Sequence, residues 1–337
     1  MAAASQPDRR TPRSPRPGAW LACLLIVSIV AACASAIAWA SSGLGPLITE
    51  PDQGYAPIYT LLGSAKHTLD VTMYEFSDPA AEKALIDDAA RGVAVRVILD
   101  EQYKGGAYNK PVFTNLSQHG VKVQWASTHV SITHQKSFVI DGKKAVIMTG
   151  NLTSSFYSTS RDFALVDTKK SDVAAIEAVF GLDWANGKGT APAGADLVWS
   201  PGSEAPLVAL IGSAKHSLLV ENEEMEAPAI VGALEAAAKR GVAVQVVMTN
   251  SPDWKASFDA LKAAGVQVHT YKNSSKTLYI HAKLIEADAS RVFLGSENFS
   301  VGSLQYNREL GLITTSAPIL QAVKKIFASD FSGATPW

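Results

Sequence analysis

The chain has 337 residues, 47% of them hydrophobic and 18% charged, with a formal net charge of −1. This is the composition of an ordinary globular protein with room for two domains, and it argues against a general nucleic-acid binder, which needs a basic track for phosphates. Both cysteines, Cys23 and Cys33, lie in the first forty residues, so the body of the chain has no internal disulfide.

Those forty residues read as a leader (1–40). Arg9, Arg10, Arg13 and Arg16 precede an unbroken run of apolar and small residues from Ala19 to Ala40, just long enough to span a bilayer. Three fates compete. Ala38-Trp39-Ala40 suits cleavage of a signal peptide, Val30 to Cys33 resembles a bacterial lipoprotein box that would leave Cys33 lipidated, and an uncleaved segment stays as a transmembrane signal anchor. Each fate exports the body, so an extracytoplasmic, secreted or membrane-anchored protein is expected. Without residues 1–40 the chain keeps 26 basic and 30 acidic side chains, a formal net charge of −4.

The rest is written twice. "LLGSAKHTL" at 61–69 returns as "LIGSAKHSL" at 210–218, and "RGVAVRV" at 91–97 returns as "RGVAVQV" at 240–246, both at a shift of 149. "SRDFALVDT" at 160–168 matches "NRELGLITT" at 307–315 at a shift of 147. Two tandem units are expected, 45–185 and 196–337, joined by a Gly- and Pro-containing linker at 186–195.

Each unit alternates strand and helix. "TLDVTMYEF" reads as a strand, and Asp78-Pro79 caps a helix that stops at Gly92. "VAVRVILD" is a buried strand, followed by a helix around Pro111–Gln118 and the strand "VKVQWA". The second unit repeats this with Pro228, Gly241, a helix near Asp253–Lys262 and "VQVHTY". The expected fold is α/β, with each unit a mixed, mostly parallel sheet flanked by helices. His67 and His216 fall in the repeated "GSAKH" turn and read as structural; His119, His129 and His269 have no counterpart and read as surface or core.

A sharper pattern follows the shared strands. "SITHQKSFVID" at 131–141 gives His134, Lys136 and Asp141, and "YIHAKLIEAD" at 279–288 gives His281, Lys283 and Asp288 at the same spacing. "MTGN", Met148 to Asn151, and "GSEN", Gly295 to Asn298, then stand in equivalent places. This resembles the phospholipase D superfamily, marked by two copies of His-x-Lys-x4-Asp-x6-Gly-Ser-x-Asn. The second copy fits at His281, Lys283, Asp288, Gly295, Ser296 and Asn298; the first has Met148 for the glycine and Thr149 for the serine. The resemblance covers essentially all of residues 45–337 and implies an active site at a pseudo-two-fold interface between the repeats.

The side chains carry their own argument. Residues i and i+2 of a strand point the same way, so each His and Lys can enter one pocket together. Two Lys repel a metal cation, and no cofactor is implied. Lys136, Lys283, Asn151 and Asn298 offer donors to phosphate oxygens, and Thr149 and Ser296 are expected to add hydroxyls. By the resemblance His134 is the nucleophile that becomes a phosphohistidine, and His281 the acid and then the base. Asp162 and Glu309 are expected to orient the imidazoles, although which acid serves which His is open. Asp141 and Asp288 are expected to fix a turn. "ENEEME" at 221–226 reads as a solvated acidic loop, with a cationic head group as the alternative.

The expected function is an exported phospholipase D-type hydrolase (lipid degradation, water or an alcohol as acceptor), acting as a monomer. The alternative is an exported, metal-independent endonuclease acting on nucleic acid. A cardiolipin synthase-like phosphatidyltransferase and a non-catalytic phosphate-binding module come behind these.

Overall fold

The computed structural model describes Met1 and residues 43–337. The apolar run 19–40, and with it the signal peptide, the anchor and lipidation at Cys33, lies outside the described residues. No helix among the described residues is long and apolar enough to cross a membrane.

The first repeat runs β1 (Ile48–Glu50), α1 (Ala56–Leu62), β2 (Thr68–Met73), α2 (Pro79–Ala90), β3 (Ala94–Leu99), α3 (Gly105–Gln118), β4 (Lys122–Trp125), β5 (Ser137–Ile140), β6 (Lys144–Met148), β7 (Ser160–Asp167) and α4 (Lys170–Trp184). After residues 187–194, which carry neither helix nor strand, the second follows the same plan. It runs β8 (Leu197–Ser200), α5 (Glu204–Ser213), β9 (Ser217–Glu221), α6 (Pro228–Lys239), β10 (Ala243–Thr249), α7 (Lys255–Ala263), β11 (Gln267–Tyr271), β12 (Tyr279–Ile280), β13 (Leu284–Ala287), β14 (Arg291–Gly295), α8 (Val301–Gln305), β15 (Glu309–Thr314), α9 (Ala317–Gly333) and β16 (Thr335–Pro336).

Helix α2 starts as its sequence demands: the Asp78 carboxylate accepts from the Ala80 and Ala81 amides ahead of a first-turn proline. Helix α3 starts six residues before Pro111, earlier than expected. Gly105 and Gly106 open it because a Cβ there would stand 3.0 Å from the Asp100 carbonyl oxygen and 2.6 Å from that of Glu101. Parallel pairing holds where strands alternate with helices, in β2–β3–β4 and in β9–β10–β11. The later strands, β5–β6–β7 and β13–β14–β15, with only the short α-helix α8 among them, add on antiparallel.

These antiparallel strands are apolar on both faces. Phe138, Ile140, Val146 and Met148 point into the core of their own repeat, while Val139, Ala145 and Ile147 alternate into a second core. That second core also takes Leu284, Val292, Leu294 and Leu312 from the other repeat, so the two sheets share it. The repeats are also stitched by backbone. β12 pairs in parallel with β7, placing Ile280 opposite Arg161, and Thr133 bridges Arg308 in the symmetric position. Two buried ion pairs close the same seam, Arg161 with Asp330 and Arg308 with Asp183, each guanidinium reaching both carboxylate oxygens.

Candidate active site

The seam explains where the histidines go. Each His follows directly on the segment that pairs with the other repeat, and each acid follows the arginine opposite. Asp162 and Glu309 therefore meet the histidine of the opposite repeat: His134 Nδ1 lies 2.9 Å from Glu309 Oε2, and His281 Nδ1 lies 2.8 Å from Asp162 Oδ1. The pairing left open by the sequence is crosswise. Burial pushes both carboxyls up, but the facing imidazoles and lysines hold them below the usual range.

Both histidines line one cavity of about 690 Å³, together with Asn151 and Asn298. Lys136 and Lys283 are almost wholly buried beneath it. Lys136 Nζ donates to the His134 carbonyl oxygen at 2.6 Å and lies 5.2 Å over the Tyr74 ring. Lys283 Nζ donates to the His281 carbonyl oxygen and to Glu223 Oε2, 3.2 Å away. Burial, with the neighbouring Lys283 charge adding to it, pulls the Lys136 ammonium down to about 7. Burial and Lys136 likewise pull His134 down to about 4, so its ring is neutral at neutral pH. Among the described residues no group of three or more His, Cys, Asp or Glu side chains is arranged to hold a metal ion.

Two expectations need correcting. The hydroxyls of Thr149 and Ser296 do not face the cavity. Thr149 Oγ1 donates to Asp162 Oδ1 at 2.7 Å and Ser296 Oγ to Glu309 Oε2 at 2.6 Å, each almost wholly buried. Strand pairing sets them behind the histidines, where they fix the acids; Ser160 adds a third contact to Asp162, and Ser303 and Asn307 further ones to Glu309. The acidic run 221–226 is not a solvated loop either. Glu221 is fully buried, and Glu223 reaches the catalytic cavity with Oε2 at 3.3 Å from His281 Nε2 and 3.4 Å from Asn298 Nδ2. Glu75, absent from the sequence reading, accepts from Asn151 Nδ2 at 3.4 Å. The shift of 149 sets Tyr74 against Glu223, and that was the available signal.

Asp141 and Asp288 sit away from the cavity. Asp141 has φ +52° and accepts from the backbone amides of Lys66, His67 and Thr68; Asp288 has φ +55° and accepts from those of Lys215, His216 and Ser217. They tie the strand that follows each His-Lys pair, β5 or β13, to the "GSAKH" turn, whose own histidine side chains are exposed.

Met148 is likewise buried in its repeat's core and does not narrow the cavity. The two repeats exchange volume at this point. Gly150 packs against Asp162, whose Cγ would lie 2.6 Å from an added Cβ, whereas the equivalent Glu297 occupies space left by Gly295 and Gly311. A Cβ on Gly295 would collide with the Glu297 carboxylate and come within 2.5 Å of the Gly311 Cα. Gly295→Ala is therefore expected to lower stability by about 1–3 kcal/mol, because one of the facing strands is backbone and cannot yield. Urea unfolding monitored by circular dichroism checks this; an unchanged midpoint would show that the packing relaxes freely.

A family model described as "Cardiolipin synthase, PLD-like domain" matches residues 58–184 and again 207–331. The chain is 24% identical to the major cardiolipin synthase of Bacillus subtilis over 84% of its own length and 68% of that protein's. It is 22% identical to cardiolipin synthase 1 of Bacillus cereus over 86% of its length and 66% of that protein's. The chain thus spans about two thirds of these relatives. The phosphatidylserine synthase of Haemophilus influenzae shares the fold at TM-score 0.66 and 12% identity, over 88% of this chain and 87% of that one. Polyphosphate kinase from Porphyromonas gingivalis does so at TM-score 0.65 and 14% identity, over 84% of this chain and 46% of that one.

These relatives overturn the expectation of an exported phospholipase D hydrolase engaged in lipid degradation, and with it the exported endonuclease, because the proteins matching most of the chain are named as synthases. The expectation of an extracytoplasmic protein is corrected with it: the relatives matching most of the chain are named as cardiolipin synthases, and the residues 1–40 on which it rested lie almost wholly outside the described ones. Two matched domains, one in each repeat and together covering most of the sequence, make the chain a member of the phospholipase D superfamily of phosphodiester-acting enzymes, in its cardiolipin synthase PLD-like domain family.

Proposed function

We propose that the chain is a phosphatidyltransferase of the cardiolipin synthase kind, moving a phosphatidyl group from one phospholipid to a hydroxyl of another. The observation that carries this reading is the match of both repeats to cardiolipin synthases along nearly the whole described chain.

The cavity supports a two-step route. His134, neutral at its working pH, attacks phosphorus through Nε2 while Glu309 holds the proton on Nδ1. The bond from phosphorus to the donor's glycerol oxygen breaks, and that oxygen takes a proton from His281. His281 suits the acid role because both its ring nitrogens face carboxylate oxygens, an arrangement that only a ring with two N–H groups satisfies. The acceptor hydroxyl then gives its proton back to His281 and attacks phosphorus, freeing His134. Lys136, Lys283, Asn151 and Asn298 surround the position where equatorial oxygen charge grows. Two phosphatidylglycerols in this scheme give one cardiolipin and one glycerol, so atoms and charge balance.

The test is incubation of the full chain with phosphatidylglycerol vesicles in EDTA, with lipids read by mass spectrometry. Cardiolipin with equimolar glycerol is expected. Phosphatidic acid as the main product, or no phosphoester exchange by a folded protein, would overturn the transferase reading.

A further inference from the structure

We propose that Glu223 is an internal anion: it occupies the phosphate position of the second repeat and competes with the substrate phosphodiester for the same donors. This rests on reading the cavity as a phosphate site. Glu223 Oε2 gathers an ammonium, an imidazole and a carboxamide, at 3.2 Å from Lys283 Nζ, 3.3 Å from His281 Nε2 and 3.4 Å from Asn298 Nδ2. Those are the three donor side chains of the second motif, two lining the cavity and Lys283 beneath it, and one carboxylate oxygen stands where a non-bridging phosphate oxygen would stand.

Its freedom to leave separates Glu223 from the other acids touching the histidines. Asp162 and Glu309 have side chains 5% and 0% exposed and are fastened by buried hydroxyls. Glu223 keeps 22% exposure. Apart from the three cavity donors, its hydrogen-bond partner among the described residues is the Tyr279 hydroxyl, which donates to Oε1 at 2.9 Å. A carboxylate held by the very groups that bind substrate, and tethered elsewhere only through a tyrosine at the cavity wall, can swing aside when a better anion arrives. Burial pushes its carboxyl up, but His281 and Lys283 outweigh this and hold it well below the usual range, so it stays charged.

The first repeat is only partly matched: Glu75 takes Asn151 Nδ2 at 3.4 Å, and the position equivalent to Glu223 carries no carboxylate. At the equivalent position Tyr74 meets His134 edge-on, with ring centroids 4.6 Å apart, and lies under Lys136. One carboxylate oxygen thus faces all three donors of the second half of the phosphate site, whereas in the first half Glu75 meets Asn151. Two anions a few ångströms apart repel strongly in a partly buried site, so the phosphodiester must displace Glu223 to reach Lys283 and His281. The device compensates the buried Lys283 ammonium in the empty enzyme, whose other hydrogen bond goes to the neutral His281 carbonyl, and raises the threshold an anion must pass to bind.

Calorimetric titration of inorganic phosphate into the full chain at fixed ionic strength tests this. Glu223→Gln keeps the shape and removes the charge, and is expected to tighten phosphate binding at least tenfold. Glu224→Gln is the control: Glu224 lines the same cavity but contacts none of the three donors, and its phosphate affinity is expected to change less than threefold. Equal tightening in both variants would reduce the effect to general charge and overturn the proposal, as would unchanged or weaker binding in Glu223→Gln. If neither wild type nor Glu223→Gln binds phosphate, the proposal fails together with the phosphate reading. Binding is read without lipid, so failure of the transferase assay alone leaves this result intact.

Discussion

Replacing His134 by alanine is expected to lower phosphatidyl transfer by about 10⁴-fold or more, since it removes the atom that carries the phosphatidyl group between donor and acceptor. The fold should survive. His134 sits at the cavity wall, and Glu309 keeps its contacts with Ser296, Ser303 and Asn307 when the imidazole is gone. His281→Ala is expected to cost a comparable factor with a phosphatidylglycerol donor, but for a different reason: the leaving oxygen lacks its proton. A donor with a nitrophenolate leaving group needs no such proton. With it, His281→Ala should still undergo the first step and then stall, leaving a phosphatidyl adduct on His134. Intact-protein mass spectrometry would register that adduct in His281→Ala and not in His134→Ala. An adduct in the His134→Ala protein instead would reverse the assignment of the two roles.

The symmetry of the motif hid that difference from the sequence. His134 and His281 have equivalent neighbours in the chain, and only folding puts Tyr74 beside one and Glu223 beside the other. What was legible came from repetition and spacing: the two units, the His and Lys two residues apart that reach one site, and an acid after an arginine in each repeat; the strand expected to carry them begins only after each lysine, at β5 and β13. The crosswise pairing of Asp162 with His281 and of Glu309 with His134 was not legible, because it depends on β12 and β7 pairing between repeats rather than within one. Thr149 and Ser296 were misplaced because a hydroxyl next to a phosphate-binding motif looks like a ligand; strand register turns both toward the carboxylates. The run at 221–226 failed differently. Four glutamates in six residues carry the composition of a solvated loop, and nothing in composition tells that Glu221 and Glu223 fall at the end of a central strand, where the cavity begins.

Lys136 yields the second large effect, and it separates catalysis from stability. Below about pH 7 its ammonium is charged and almost wholly buried, while in the unfolded chain it titrates near 10.4. A folded value below the unfolded one means that the charge costs the fold fully below about 7 and progressively less as pH rises from 7 toward the unfolded value. Lys136→Met, which fills the same space without charge, is therefore expected to stabilise the fold by about 1–3 kcal/mol at pH 6. That gain should shrink at pH 9. The same substitution should lower transfer by about 10²–10³-fold, because a donor to the equatorial oxygens is lost. Wild-type kcat/KM should follow a bell, rising as His134 loses its proton near 4 and falling as Lys136 loses its own near 7. Denaturant unfolding of both proteins at pH 6 and pH 9, with pH–rate profiles of the wild type, provides the check. A Lys136→Met protein less stable than wild type at pH 6 would mean that the ammonium is held by more than it costs, and that its attraction to the Glu309 and Glu223 charges outweighs the loss of water.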